Sequence, residues 1–219
     1  MDFQDFLQYV PNLIPIELPG EAAHIKMAPK ERTEALKNLD LQAVNPRIAA
    51  VMMLFYPKKD NTHLVLIVRN AYNGVHSSQI AFPGGKYETF DVNYEATALR
   101  ETQEEVGVLS EKIEIIKEFS PMYIPPSNFL VHPFLGISHD ELSFFPDVRE
   151  VADIIELPLS VFLDDEIIIE ATLSTSYGSN IVVPAFNIQN HIVWGATAMI
   201  LSELRDVLKI SFGEKSEKQ

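Results

Sequence analysis

The chain has 219 residues, and 17 Lys and Arg stand against 31 Asp and Glu, a formal charge of −14. Hydrophobic residues make up 47% and charged residues 22%, which excludes a disordered or fibrous chain and supplies apolar material for one large core. Cysteine is absent, so disulfides, Cys-type zinc sites and thiol catalysis are excluded.

A reducing, cytoplasmic setting is expected. The acidic balance argues against nucleic acid or an anionic membrane as partner. The segment MDFQDFLQYV has two Asp and no basic residue, unlike a secretory signal. The longest apolar stretch, Ile48 to Tyr56, is about half of what a bilayer span needs.

Residues 1–46 are polar and read as an N-terminal helical extension packing on the core. Helices are predicted around Phe3 to Val10 and Pro29 to Asn38, with Pro11, Pro15 and Pro19 interrupting between them. A core domain follows over 47–212, and 213–219 read as a polar tail. Ile48 to Tyr56 and Leu64 to Arg69 are β-compatible runs joined by polar Pro57 to His63, a predicted hairpin. A loop with Asn73-Gly74 leads to the short run Gln79 to Phe82 and then to Pro83-Gly84-Gly85.

From Asn93 to Val106 there is no Gly or Pro, Ala96, Leu99 and Val106 fall near a helical period, and Gly107 supplies a stop. Strands are predicted at Ile113 to Phe119, Leu130 to Ile137, Ile167 to Ser174 and Ile181 to Ile188. Tyr177 to Asn180 turns between the last two. A final amphipathic helix spans Thr197 to Ile210, with Leu201, Leu204 and Leu208 on one side. Hairpin strands with a few helices imply an α/β fold, a mixed sheet covered by helices.

If 93–106 is a helix, Glu101, Glu104 and Glu105 occupy one turn of one face. Each like-charge pair there costs a few tenths of a kcal/mol, roughly, so a bound cation is the economical reason for the cluster. Hard divalent ions take oxygen ligands, and Mg²⁺ combines carboxylates with substrate phosphates. The preceding glycines let a backbone carbonyl approach the same ion. Arg100, at i, i+4 from Glu104, is placed to orient that carboxylate. The bland alternative is a solvated acidic face.

Gly85 to Val108 resembles the Nudix box, Gly-x5-Glu-x7-Arg-Glu-U-x-Glu-Glu-x-Gly-U, with U a bulky aliphatic residue. Asp91 stands for the first Glu, eight residues instead of seven separate it from Arg100, and Thr102 replaces an aliphatic residue. Phe82-Pro83-Gly84-Gly85, Asp91 and Thr97-Ala98-Leu99-Arg100-Glu101 resemble the variant box of the coenzyme A pyrophosphatase subgroup. That subgroup's upstream signature is matched at Arg69. Gly74 and Ser78 depart from it, standing where Arg and Gly are expected. The likeness extends over about 48–208 and includes Trp194-Gly195-Ala196-Thr197-Ala198.

The resemblance implies a Nudix-type α/β/α sandwich and a Mg²⁺- or Mn²⁺-dependent pyrophosphohydrolase of a small nucleoside diphosphate substrate. Coenzyme A or its thioesters would give adenosine 3′,5′-bisphosphate and (acyl-)4′-phosphopantetheine. The alternatives are another compound such as ADP-ribose or a dinucleoside polyphosphate, and a silent nucleotide-binding regulator. Glu101, Glu104 and Glu105 correspond to catalytic metal ligands, with the Gly84 carbonyl as a further one.

Glu150 resembles a downstream acidic residue that assists some Nudix enzymes, although Asp147, Asp153 and Glu156 crowd the same stretch. Arg69 and Lys86 are candidates for a substrate phosphate, or ordinary surface charges. Asp91 is expected to shape the loop or cap the helix, and His76 and His132 to be structural or surface residues. Ser77, Ser78 and Ser127 show no nucleophile elbow. Tyr123 to Phe129 reads equally as a substrate-facing loop or a connector. Met52, Met53 and Trp194 are expected in the core. A homodimer contact through 1–46 is possible.

Overall fold

A computed structural model describes residues 1–36, 39–70, 79–175 and 178–213. Asn73, Gly74, His76, Ser77, Ser78, Tyr177 and most of the C-terminal tail lie outside these residues. Among the described residues, four short helices precede the first strand: α1 (Phe3–Leu13), α2 (Glu21–His24), α3 (Lys30–Leu36) and α4 (Leu41–Val44). Asp2 caps α1 by accepting from the Gln4 amide at 2.8 Å.

Pro11 lies inside α1 and does not interrupt it. An interior proline costs a helix about 3 kcal/mol. Burial of Phe3, Phe6 and Leu13 outweighs that, at about 1.5–3 kcal/mol for each side chain.

The next two strands, β1 (Arg47–Lys58) and β2 (Asn61–Arg69), form a hairpin around Lys59 and Asp60, both at positive φ. That two-residue geometry matches strand twist. Most of Pro57 to His63 is therefore paired strand and not a connecting loop. The hairpin is paired only from Phe55↔Leu64 to Lys58↔Asn61 and then splays.

Into the gap run β3 (Ile80–Ala81), hydrogen-bonded to β2, and β4 (Gly84–Lys86), hydrogen-bonded to β1. The sheet is extended on both sides by strands that follow α5 (Tyr94–Val106): β5 (Glu114–Glu118), β6 (Met122–Ile124), β7 (Phe129–Ile137) and β8 (Val151–Pro158). β7 runs parallel to β1, β5 and β6 pair antiparallel with β7, and β8 pairs antiparallel with β2. The result is a mixed eight-stranded sheet with the glycine pair wedged into its middle.

After α6 (Leu159–Phe162), the strands β9 (Ile168–Thr175), β10 (Gly178–Ile188) and β11 (His191–Val193) make a second, antiparallel sheet. The chain closes with α7 (Gly195–Ser211).

Alternation along β1 divides the core. Ala50, Met52, Leu54 and Tyr56 pack with Ala98 and Val106 of α5. Met53 and Phe55 pack with Phe3 and Phe6 of α1 and with Leu201, Leu204 and Leu208 of α7. The sheet is thus covered on both faces, the expected α/β/α arrangement. Met52 and Met53 are in the core. Trp194 is not: it is only partly buried and borders a cavity.

Candidate active site

Helix α5 places the acidic cluster. The Asn93 side chain caps it by accepting from the Ala96 amide at 2.8 Å, and Gly107 ends it in the left-handed conformation at φ 75°. With Ala98 and Val106 anchored in the core, the turn 101–105 projects toward the wedge.

The three carboxylates differ in environment. Glu105 is 2% exposed, accepts from the Gly84 amide at 2.8 Å, and lies 3.5 Å from the Arg69 guanidinium. Glu101 is mostly buried and accepts from Arg100 at 2.8 Å. Glu104 is largely in solvent and meets the same Arg100 nitrogen at 3.1 Å.

Arg100 is itself fixed from behind. Its Nε and Nη2 each donate to Asp91 at 2.9 Å, and Nη2 also donates to the Lys86 carbonyl. Asp91, buried, further accepts from the Thr97 hydroxyl at 2.9 Å and the Glu88 amide at 3.0 Å. The Arg100 hydrogen bonds, more than the other contacts, hold the Asp91 carboxyl down at about 2. The additional residue between Asp91 and Arg100 therefore sits in a loop tied to the helix at both ends. Asp91 organises Arg100, and Arg100 orients Glu101 and Glu104.

The two glycines are required for different reasons. At Gly84, φ is +153°, and a Cβ would fall 2.4 Å from the Ala50 carbonyl oxygen on β1. At Gly85 a Cβ would fall 2.5 Å from the Glu101 carboxylate. Gly85→Ala is thus expected to leave unfolding within about 1 kcal/mol of the parent, because a side-chain end can yield, while lowering turnover at least tenfold, roughly, by displacing Glu101. Gly84→Ala should instead lose stability outright, because backbone cannot yield. Equal stability losses in denaturant melts of the two variants would contradict this distinction.

Burial pushes the Glu105 carboxyl up to about 7; the Gly84 amide and Arg69 oppose the rise, and Glu101 and Glu150 add to it. Burial raises Glu101 as well, with Arg100 opposing. An acid with a raised folded pKa favours the folded state as protons are added. Metal-free protein should accordingly gain stability as pH falls from 7 toward 4.5, by on the order of 3 kcal/mol from Glu105. Urea melts with chelator at pH 8 and pH 5 would show the gain in the parent and a smaller one in Glu105→Gln. An equal pH response in both would rule out this source.

These groups border one cavity of about 700 Å³. Glu101, Glu104, Glu105, Glu150, Arg69 and Lys86 all line it, as do Gly84 and Gly85. Glu150 is exposed, on the turn before β8, where its carbonyl accepts from the Asn70 amide at 2.9 Å. Lys86 is exposed and pairs with Glu88 at 3.2 Å. Arg69 keeps a buried Nε with no hydrogen-bond partner among the described residues.

The segment 123–129 lines the cavity through Ile124, Pro126, Ser127 and Phe129, as a substrate-facing loop would. His132 does not line it and sits 2.7 Å from Glu118. Arg32 of α3 and Trp194 also line the cavity. Sequence reasoning missed both in this role, since neither belongs to a motif that marks chemistry. For Trp194 the available signal was a large aromatic beside Gly195, next to a helix start.

Among the described residues, no three acidic or histidine side chains already converge as a metal-ligand set. Glu101 and Glu104 are turned to Arg100, and Glu105 to Gly84 and Arg69. The donors are nevertheless all carboxylate oxygens; Glu101 and Glu150 raise the proton affinity of Glu105, and Glu104 and Glu150 raise that of Glu101. That chemistry fits a hard dication, which would neutralise the repulsion.

Residues 46–168 match the NUDIX domain family. A Photorhabdus laumondii protein named Nudix hydrolase NudL is 34% identical over 174 residues, 76% of this chain and 87% of that protein. A mouse protein named peroxisomal coenzyme A diphosphatase NUDT7 is 27% identical over 74% of each chain. Among solved structures, a Nudix hydrolase from M. smegmatis, RenU, superposes with a TM-score of 0.51 at 14% identity, over 80% of this chain and 91% of that one. That last likeness concerns the fold alone. With the domain match covering more than half of the chain and the box helix in place, the protein belongs to the Nudix hydrolase family.

Proposed function

We propose that the protein is a Mg²⁺- or Mn²⁺-dependent coenzyme A diphosphatase, releasing adenosine 3′,5′-bisphosphate and 4′-phosphopantetheine or its acyl form. The observation that supports hydrolysis most directly is the Glu101, Glu104 and Glu105 cluster opening, beside Gly84-Gly85 and Arg69, onto a cavity large enough for an organic diphosphate. The coenzyme A assignment draws on the Phe82 to Gly85 element with the Asp91 offset, and on similarity to the mouse diphosphatase.

In this reading Glu101, Glu104, Glu105 and the Gly84 carbonyl hold the metal. The metal, when bound, offsets the charge of the diphosphate and acidifies a coordinated water. Arg100, held by Asp91, keeps Glu101 and Glu104 from drifting as charge builds on the phosphates. Arg69 turns its guanidinium to a phosphate oxygen, and Lys86 meets the charge nearer the solvent. Glu150 accepts the proton of the attacking water. The water oxygen bonds to one phosphorus while the bridging P–O bond breaks and its electron pair leaves with the other phosphate.

A second reading, hydrolysis of another nucleoside diphosphate compound, is favoured by Gly74 and Ser78, which depart from the coenzyme A signature. A panel of coenzyme A, an acyl thioester, ADP-ribose and a dinucleoside polyphosphate separates the two. The first reading predicts the highest kcat/KM for the coenzyme A compounds, abolished by chelator; the second predicts ADP-ribose or the dinucleoside compound ahead.

A further inference from the structure

The cavity reaches across the sheet. β4 and β6 are separated by β1 and β7, so three strand spacings, about 14 Å in all, lie between its two sides. The carboxylates and glycines stand at the β4 side. Over the wedge on that side lie Trp194, Ala196 and Ile200 from the start of α7, facing Ile80 of β3. At the β6–β7 side lie Arg32, Ile124, Ser127 and Phe129. A diphosphate that joins two different groups therefore meets two different lobes.

The lobes differ in chemistry. In the α7 lobe the lining is mainly apolar, with Gln79 beside Ile80 and the Trp194 indole N–H as its polar groups, and the Thr197 hydroxyl is already donated to the Ile80 carbonyl at 2.9 Å, which also pins the helix start to the wedge. A nucleoside buried there would leave most of its base and sugar polar groups without side-chain partners, the costly outcome for buried polar atoms, whereas a chain of methylenes and a few amides carries fewer polar atoms for its length and leaves fewer unpaired. The β6–β7 lobe adds charged and polar groups to its apolar lining. Arg32 and Ser127 line it, the Ser127 hydroxyl is buried with no hydrogen-bond partner among the described residues, and Arg47 stacks over Phe129, 4.1 Å from the ring centroid. Trp194 and α7 also fall outside the residues that match the shared family domain, 46–168. That is where selectivity beyond the common chemistry would be built.

Resting on the diphosphatase reading above, we infer that the non-nucleotide arm of the substrate, a chain of methylenes and amides ending in a thiol or acyl thioester, lies in the lobe between β3 and α7. Trp194 is its specificity-determining contact. The nucleoside half takes the β6–β7 lobe.

Trp194 is the single tryptophan of the chain, so its emission reports occupancy of this lobe directly. Metal-free full-length protein would be titrated with pantetheine, with octanoyl-pantetheine and with adenosine 3′,5′-bisphosphate. Both pantetheine compounds should change Trp194 emission saturably, the octanoyl form at lower concentration, and the bisphosphate should not. In turnover, Trp194→Ala should lower the kcat/KM ratio of octanoyl-coenzyme A to ADP-ribose roughly tenfold through KM, and Trp194→Phe should restore most of it.

Emission that responds to the bisphosphate and not to pantetheine would reverse the lobes and overturn the inference. Silence toward both would overturn it too. Saturable pantetheine binding by a protein that does not cleave coenzyme A would leave the lobe standing and remove the diphosphatase reading. Cleavage of coenzyme A with a silent Trp194 would do the reverse.

Discussion

Replacing Glu105 with Gln is expected to lower kcat at least a hundredfold, roughly, while the protein stays folded. The amide oxygen of Gln can still accept from the Gly84 amide, 2.8 Å away in the parent, so the wedge and α5 stay joined. What disappears is the negative charge that would bind a cation. Because Glu105 is almost fully buried and burial disfavours its ionised form, the neutral variant should melt no lower than the metal-free parent at pH 8. Near-normal turnover in a folded Glu105→Gln protein would refute its metal-ligand role. Loss of both activity and melting temperature would point to a structural one.

Replacing Glu203 with Ala is expected to cost about 3–5 kcal/mol of stability, because it removes one buried carboxylate that several donors share. Glu203, on α7, has no exposed surface. It accepts from the Gly20 amide at 2.9 Å, the Ser120 hydroxyl at 2.6 Å and the Ser120 amide at 3.2 Å, and lies 3.3 Å from His24. One carboxylate thus joins the segment before α2 and the loop between β5 and β6 to α7. Burial works against its ionisation, but the contacts from His24 and Ser120 hold its carboxyl below the usual value. Its contribution should therefore be present above pH 4.5 and fade as pH falls below it. Ser120→Ala, which removes one neutral donor, should cost nearer 1 kcal/mol. Similar denaturant midpoints for Glu203→Ala and the parent would contradict this role.

The parts of the fold that were legible in the sequence are those where local signals agree. Helix α5 has a capping Asn93, an uninterrupted body and Gly107 in the one conformation that favours glycine, so its limits could be read to within a residue. The final helix was legible from Leu201, Leu204 and Leu208, all fully buried.

Strand β8 was not. Val151, Ile155 and Leu157 are buried, but Asp153 and Glu156 interrupt the alternation, and the stretch reads as an acidic loop. Its register is set by distant partners. It pairs with β2, and Glu156 meets Tyr56 and Lys58, contacts that no local pattern encodes. Pro11 misled in the other direction, because tertiary burial of α1 overrides a local helix breaker.

The site divides the same way. The acidic turn, the glycine pair and the two arginines were visible as residue types at fixed spacing. That Arg100 takes its orientation from Asp91 was only half visible. The expectation linked Arg100 to Glu104 and Asp91 to the loop, and the 2.9 Å contacts between the two depend on the loop's closure. The cavity walls from Arg32 and Trp194 were not legible as such, because these residues come from opposite ends of the chain and line one cavity only once the sheet has formed.

The same separation gives the charge of −14 its local meaning. Most of the 31 acidic residues are simply solvated, whereas Glu101 and Glu105 are held in a protein-lined cavity where their repulsion is costly. A cation there would let an acidic protein hold an acidic substrate. No helix among the described residues is long and apolar enough to cross a membrane.

The most direct test is to incubate purified protein with Mg²⁺ and coenzyme A and to identify the products by mass after separation. Adenosine 3′,5′-bisphosphate and 4′-phosphopantetheine should appear in equal amounts, and neither should form with chelator or with Glu105→Gln. No bisphosphate, alongside rapid turnover of ADP-ribose or a dinucleoside polyphosphate, would contradict the assignment.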